Sequence, residues 1–124
     1  MTIRPQRHGR KTAQGIARWD VERLIALSCD LVPFPKPLSE IAELDELWWF
    51  QFPDDPPPTP REIAHHVELA RAADPSYPII LCAEGRLMDG MHRVLKALMA
   101  GQDTISAVQF AQTPEPDEFQ ENTR

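Results

Sequence analysis

No apolar run in the chain approaches the ~20 residues of a membrane span, and the first fifteen residues, "MTIRPQRHGRKTAQG", contain no apolar stretch of the secretory-signal kind. A cytoplasmic protein with no membrane partner is therefore the expectation, although the acid-free start leaves a transit-peptide reading open on charge alone. Cysteine is nearly absent: Cys29 and Cys82 lie far apart, outside any metal-ligand spacing, and read as buried thiols rather than a disulfide. No Gly-rich Walker loop, Ser-centred nucleophile elbow or Cys-x-x-Cys pair occurs, so those three chemistries lack their usual sequence marks. Internal repeats are missing too.

What remains is a chain of 124 residues, 42% hydrophobic and 26% charged, which fits one soluble domain with a modest core. The net charge of -6 is unevenly spread. Residues 1–18 carry Arg4, Arg7, Arg10, Lys11 and Arg18 with no acid, while residues 19–110 hold seven Lys/Arg against fifteen Asp/Glu. So acidic a body makes a poor general binder of nucleic acid, because phosphate neutralisation supplies most of that affinity. The division expected is a basic flexible arm (1–18), a folded domain (19–110) and an acidic flexible tail (111–124). A DNA-associated role would have to run through the arm.

Within the domain, Asp20 reads as an N-cap, followed by Val21, Leu24, Ile25 and Ser28 on one helical stripe. Prolines 33, 35 and 37 make "LVPFPKPL" extended, as an edge strand. "LSEIAELDEL" returns to helical character with Ser39 as a cap, then runs into the aromatic group Trp48, Trp49, Phe50 and Phe52. That group is either a structural plug or a ligand platform. After the rigid loop "PDDPPPTP", Thr59 as N-cap, Pro60 at N1 and Glu62 at N3 make a capping box, and Ile63, Val67 and Ala70 form the buried stripe behind it. "PIILCAEGRLMD" reads as a hairpin. Met91, Val94, Leu95 and Leu98 share one face of the next helix, Gly101 ends it, and "TISAVQF" is a last strand. The whole is a small α+β domain, a mixed sheet packed by helices.

Chemistry concentrates in "RLMDGMHRVLKALMAG", residues 86–101. A first helical turn has unpartnered N–H groups and a partial positive charge. Gly90 leaves its backbone open, and His92 and Arg93 add donors beside it, so Gly90, Met91, His92 and Arg93 form a candidate anion site with phosphate as the expected anion. Asp89 is either a cap for this helix or a ligand for Mg²⁺ bridging to phosphate. His65 and His66 are adjacent and diverge on a helix, so a metal site there would need His92 or a carboxylate as well.

The combination "PIIL-x4-RLMDGMHRVLKALMAGQDTISAVQF", residues 78–110 and about a quarter of the chain, resembles the ParB/sulfiredoxin-like superfamily. Sulfiredoxins place a catalytic cysteine where Met91 stands, so their chemistry is not expected. Partition-type members carry a helix-turn-helix region downstream, which has no match here. The motif is most similar to the free serine kinases with "DGHHR", matched by Asp89, Gly90, His92 and Arg93; Met91 replaces the first histidine, and the larger C-terminal portion of those kinases has no match. The resemblance implies that Gly90, His92 and Arg93 hold nucleotide phosphates and that Asp89 helps a metal or substrate. It also implies an acid from the region of Glu40, Glu43, Asp45 and Glu46. The function expected is binding of a nucleotide (ATP/ADP or CTP, with Mg²⁺) or another phosphorylated small molecule. If catalytic, it would be a Mg²⁺-dependent phosphotransferase or nucleotide hydrolase using Asp89 and His92. The alternative is a non-catalytic module that contacts a protein partner through "WWF", the proline loop and the charged tails.

Overall fold

A computed structural model describes residues 6–122; Arg4 and Arg124 of the two charged tails lie outside them. The order is β1 (Arg7–Lys11), β2 (Gly15–Asp20), α1 (Val21–Ser28), β3 (Phe34–Pro37), α2 (Pro60–Ala72), β4 (Ile79–Leu81), β5 (Leu87–Asp89), α3 (Met91–Met99), β6 (Thr104–Gln109) and β7 (Glu118–Glu121). The chain is an α+β protein with a mixed sheet.

That sheet runs β3-β6-β4-β5, with β6 parallel to β4 and the outer pairings antiparallel. The proline-rich β3 takes an edge, where a missing N–H costs no ladder bond. Ile79, Ile80 and Leu81 of β4 are all buried, as a strand covered on both faces requires. Alternation then divides the core in two. Ile79, Leu81, Leu87 and Ala107 face α3 through Met91, Val94 and Ala97. Ile80, Cys82, Met88 and Val108 face the other way, onto Ala17 and Trp19 of β2 and Leu24 of α1.

The second face explains the main departure from the sequence expectation. Residues 7–20 are not a flexible arm but a β-hairpin, and the tail returns as β7 to pair with β2 in a second sheet, β1-β2-β7. Without this layer, one face of the central sheet would lie open to water. Gly15 permits the close pairing: a Cβ there would sit 2.1 Å from the Gln120 carbonyl oxygen. Arg7 of the arm pairs with Glu118 of the tail and with Asp20 at the end of β2, and Arg23 of α1 pairs with the tail's Asp117. Asp20 does occupy the N-cap of α1, but its carboxylate goes to Arg7, and Asp117 accepts its backbone N–H instead. Ile25 is exposed, so the α1 stripe is narrower than its spacing suggests.

Residues 38–47 form no α-helix. Two 3₁₀ turns, Leu38–Glu40 and Ala42–Asp45, are separated by Ile41 in extended conformation, and Pro37 rather than Ser39 precedes them. Leu38 and Ile41 both enter the core at i, i+3, a spacing that one 3₁₀ turn aligns. In α2, Thr59 Oγ1 accepts from Glu62 N, while Thr59 N–H is taken by Pro57 O, so half of the capping box is made. Ala70 of its stripe is fully buried, and Ile63 is exposed. α3 ends in a Schellman motif: Gly101, at φ +73°, donates to Leu98 O and Gln102 to Ala97 O. Its buried face is Met91, Val94 and Ala97, with Leu98 turned outward. Cys82 is buried as expected, whereas Cys29 is exposed.

Candidate functional site

The β5–α3 junction opens into a cleft of about 1180 Å³. One wall is Asp89 to Arg93; the opposite sides come from β1 through His8 and from the aromatic segment through Trp48, Trp49 and Phe52. Helix α3 starts at Gly90 with no side chain capping it. Its first internal bond is Val94 N to Gly90 O, so the amides of the first turn have no i−4 partner within the helix.

Gly90 has φ +113°, and a Cβ on it would lie 2.7 Å from Ile79 Cγ2 and 2.9 Å from Arg93 Nη2. The glycine is therefore demanded by the chain's own packing as well as by its backbone angle. Asp89 does not cap the helix. Its carboxylate accepts from Arg93 Nη2 at 2.7 Å, and both side chains are more than four-fifths buried. Burial pushes the Asp89 carboxyl above its ordinary value, against the opposing pull of Arg93. Arg93 also donates to the carbonyls of Tyr77 and Pro78 at 3.2 Å, so its guanidinium ties the start of α3 to the approach to β4.

His92 does not stand alone. Its Nε2 is 2.9 Å from Nδ1 of His66 on α2, and the Trp49 indole stacks on both rings, with centroids 4.7 and 4.0 Å away. Burial first, then the nearby His66 and His65, lowers His92 to about 4. His66 is lowered by burial and then by His65, with Glu62 opposing. Both shifts disfavour the charged imidazolium, so the two rings enter the cleft as polar groups with a weakened hold on a second proton. His8 makes a second stack, lying between Trp48 at 5.5 Å and Trp19 at 5.7 Å. His8 is buried, lowered to about 4 by burial and then by Arg10, and its Nε2 has no hydrogen-bond partner.

The acids expected near Asp89 are elsewhere, and none of the four lines the cleft. Glu43 is 3% exposed and accepts the Leu87 N–H of the edge strand β5, an outward donor that needs a partner. Glu46 forms a two-pronged pair with Arg86, which holds its carboxyl below the ordinary value. Glu40 lies 3.9 Å from Lys36, and Asp45 is exposed. Among the described residues, no three His, Cys, Asp or Glu side chains converge as metal ligands.

The sequence marks the β5–α3 junction and names His92 only as a further ligand that His65 and His66 would need; it gives neither His8 nor the direct contact of His66 with His92. The first had a faint signal, since Ala17 and Trp19 alternate inward beyond it; the second had none, because α2 and α3 meet only through tertiary packing. No helix is long and apolar enough to cross a membrane among the described residues. In comparison with known proteins, no family model, no curated protein and no solved structure matches the chain.

Proposed function

We propose that the cleft binds a nucleotide or another phosphorylated small ligand, with phosphate at the N-terminus of α3. The observation that carries this reading is an uncapped helix start opening into a cleft large enough for such a ligand and walled by aromatics. The amides from Gly90 to Arg93 face an anion without adding charge, and Trp48, Trp49 and Phe52 offer flat surfaces for a base. Arg93 and Asp89 enter as a pair. An incoming phosphate draws Arg93 away from Asp89, and the freed carboxylate is the group that would hold Mg²⁺ against the phosphate oxygens. If a reaction follows, it is phosphoryl transfer or nucleotide hydrolysis.

The resemblance of residues 78–110 to the ParB/sulfiredoxin-like superfamily supports the same reading. The interaction-module alternative draws less support, because Trp48 and Trp49 pack against the core rather than standing free. Thermal shift and calorimetry with ATP, ADP, CTP, GTP and inorganic phosphate, with and without Mg²⁺, test the proposal. Stabilisation by one nucleotide of several degrees, lost about tenfold or more in affinity with Arg93→Ala and Trp49→Ala, is the expected result. Since Arg93 also holds two carbonyls, the variants are compared at temperatures where each remains folded. Silence from every ligand in the wild-type chain would refute the reading.

A further inference from the structure

His66 stands on α2 and His92 on α3, and their rings meet edge to edge. The planes differ by 16°, the centroids are 5.2 Å apart and the facing nitrogens 2.9 Å apart. A centroid separation of that size is the nitrogen gap with one ring radius added at each end. The two nitrogens therefore point at each other along one line in a nearly common plane. A metal on that line would need about 2.0–2.1 Å to each nitrogen, which the gap does not admit. One proton fits it. Trp49 lies within 14° and 19° of the two ring planes and covers one side of the contact.

Each neutral imidazole has one N–H. One of the two protons occupies the contact, so the outer nitrogens, His66 Nε2 and His92 Nδ1, present one donor and one bare acceptor. When the shared proton belongs to His92 Nε2, the bare nitrogen is His92 Nδ1. We propose that His66 and His92 act as one proton-accepting unit of the cleft: His92 takes a proton from a hydroxyl or water, and His66 is the positioning residue that fixes the His92 tautomer.

In the step, the O–H bond breaks and its electron pair stays on oxygen, while an N–H bond forms at His92 Nδ1. The Nε2 proton of His92 shifts toward His66 Nδ1, which spreads the added charge over both rings. The oxygen is left as a nucleophile, the species that attack on a phosphoryl group requires. A second proton would place N–H groups on both facing nitrogens and break the contact, so the unit accepts one. The step rests on the cleft taking a ligand as proposed above; the pairing itself does not.

The charged and titratable neighbours of the pair are His65 and Glu62 on α2, and Asp89 and Arg93 line the same cleft. His65 opposes protonation and Glu62 favours it. In the ligand-free protein burial disfavours the charged form of both rings, and an arriving anion raises their affinity for a proton. The unit thus becomes a base when the cleft is filled.

Imidazole ¹⁵N NMR on the full ligand-free chain tests this. In the wild type, His92 is expected as a single tautomer, with a bridging proton slow to exchange. His66→Ala should give a mixture of His92 tautomers. His66→Asn, whose side-chain amide stands near the position of Nδ1, should restore the single tautomer. A tautomer mixture for His92 in the wild type, or nitrogen shifts unaltered by His66→Ala, would overturn the proposal. Because no ligand is present, a failure here is distinct from a failure of nucleotide binding.

Discussion

His8 is held between Trp19 and Trp48 with a ring nitrogen that bonds to nothing. A buried polar atom in that condition costs about 1–3 kcal/mol. His8→Phe keeps a flat ring in the stack and removes the orphan, so the melting temperature should rise by about 4 °C. The same residue sets a pH dependence. Its folded value of about 4 lies below the ordinary 6.5, so between those values the unfolded chain binds a proton that the folded one does not. Stability therefore falls as pH drops from 6.5 toward 4, by about 3 kcal/mol from this residue, and levels off below. His92 acts in the same direction. Urea midpoints at pH 7, 5.5 and 4.5 should show the fall, and His8→Phe should flatten it; an unaltered slope would count against the assignment.

Gly90 makes an opposite case. An alanine there must accept φ +113° and displace Ile79 or the Arg93 guanidinium. Gly90→Ala should destabilise the fold by about 2–3 kcal/mol, read as a shifted denaturant midpoint. The sequence showed that this glycine matters. It did not show that Ile79 supplies the reason, since that contact joins two elements.

Among the elements, those with local punctuation were readable in advance. Thr59 and Pro60 start α2, Gly101 stops α3, and the prolines of 33–37 put β3 on an edge; each acts on its own neighbours. The 38–47 segment failed this test because its apolar spacing suits a 3₁₀ turn as well as an α-helix. The N-terminal hairpin failed for another reason. Its basic composition resembles a solvated tail, and only the second face of the central sheet gives Ala17 and Trp19 something to cover. Trp19 is 5% exposed, and its indole donates to Pro114 O. Trp19→Ala should cost about 3–5 kcal/mol, whereas Phe119→Ala, at a residue 43% exposed on β7, should cost under about 1 kcal/mol. Equal losses in chemical denaturation would mean that β7 contributes as much as β2 to sealing that face.

Across the molecule, the charge segregation of the sequence becomes charge complementarity in space. The β1–β2 hairpin and the acidic tail lie side by side in one sheet, so among the described residues Arg7 meets Glu118, Arg18 meets Gln120, and Arg10 and Lys11 bond elsewhere within the chain. The candidate site divides in the same way. Asp89 to Arg93 could be found in one short motif because a strand-to-helix junction is local. His66, Trp49 and His8 come from three other elements, and nothing in their own neighbourhoods marks them as neighbours of that junction. Glu43 and Glu46 show the converse: close in sequence to the aromatic segment, they serve the outer edge of β5 and the Arg86 side chain.

The pairing of β2 with β7 also has a meaning in time. Arg18 and Gln120 share a hydrogen bond although 102 residues separate them. During synthesis, the strand carrying Ala17 and Trp19 is made early, yet β4, β5 and β6, whose face it covers, follow it by some sixty residues or more. Long-range pairing of this kind slows folding, since a large loop must close before any contact offsets the lost entropy. The hairpin precedes those strands in the chain, so it cannot dock on their face until they have formed. Until it does, the aromatic side chains around His8 are open to whatever else the growing chain meets.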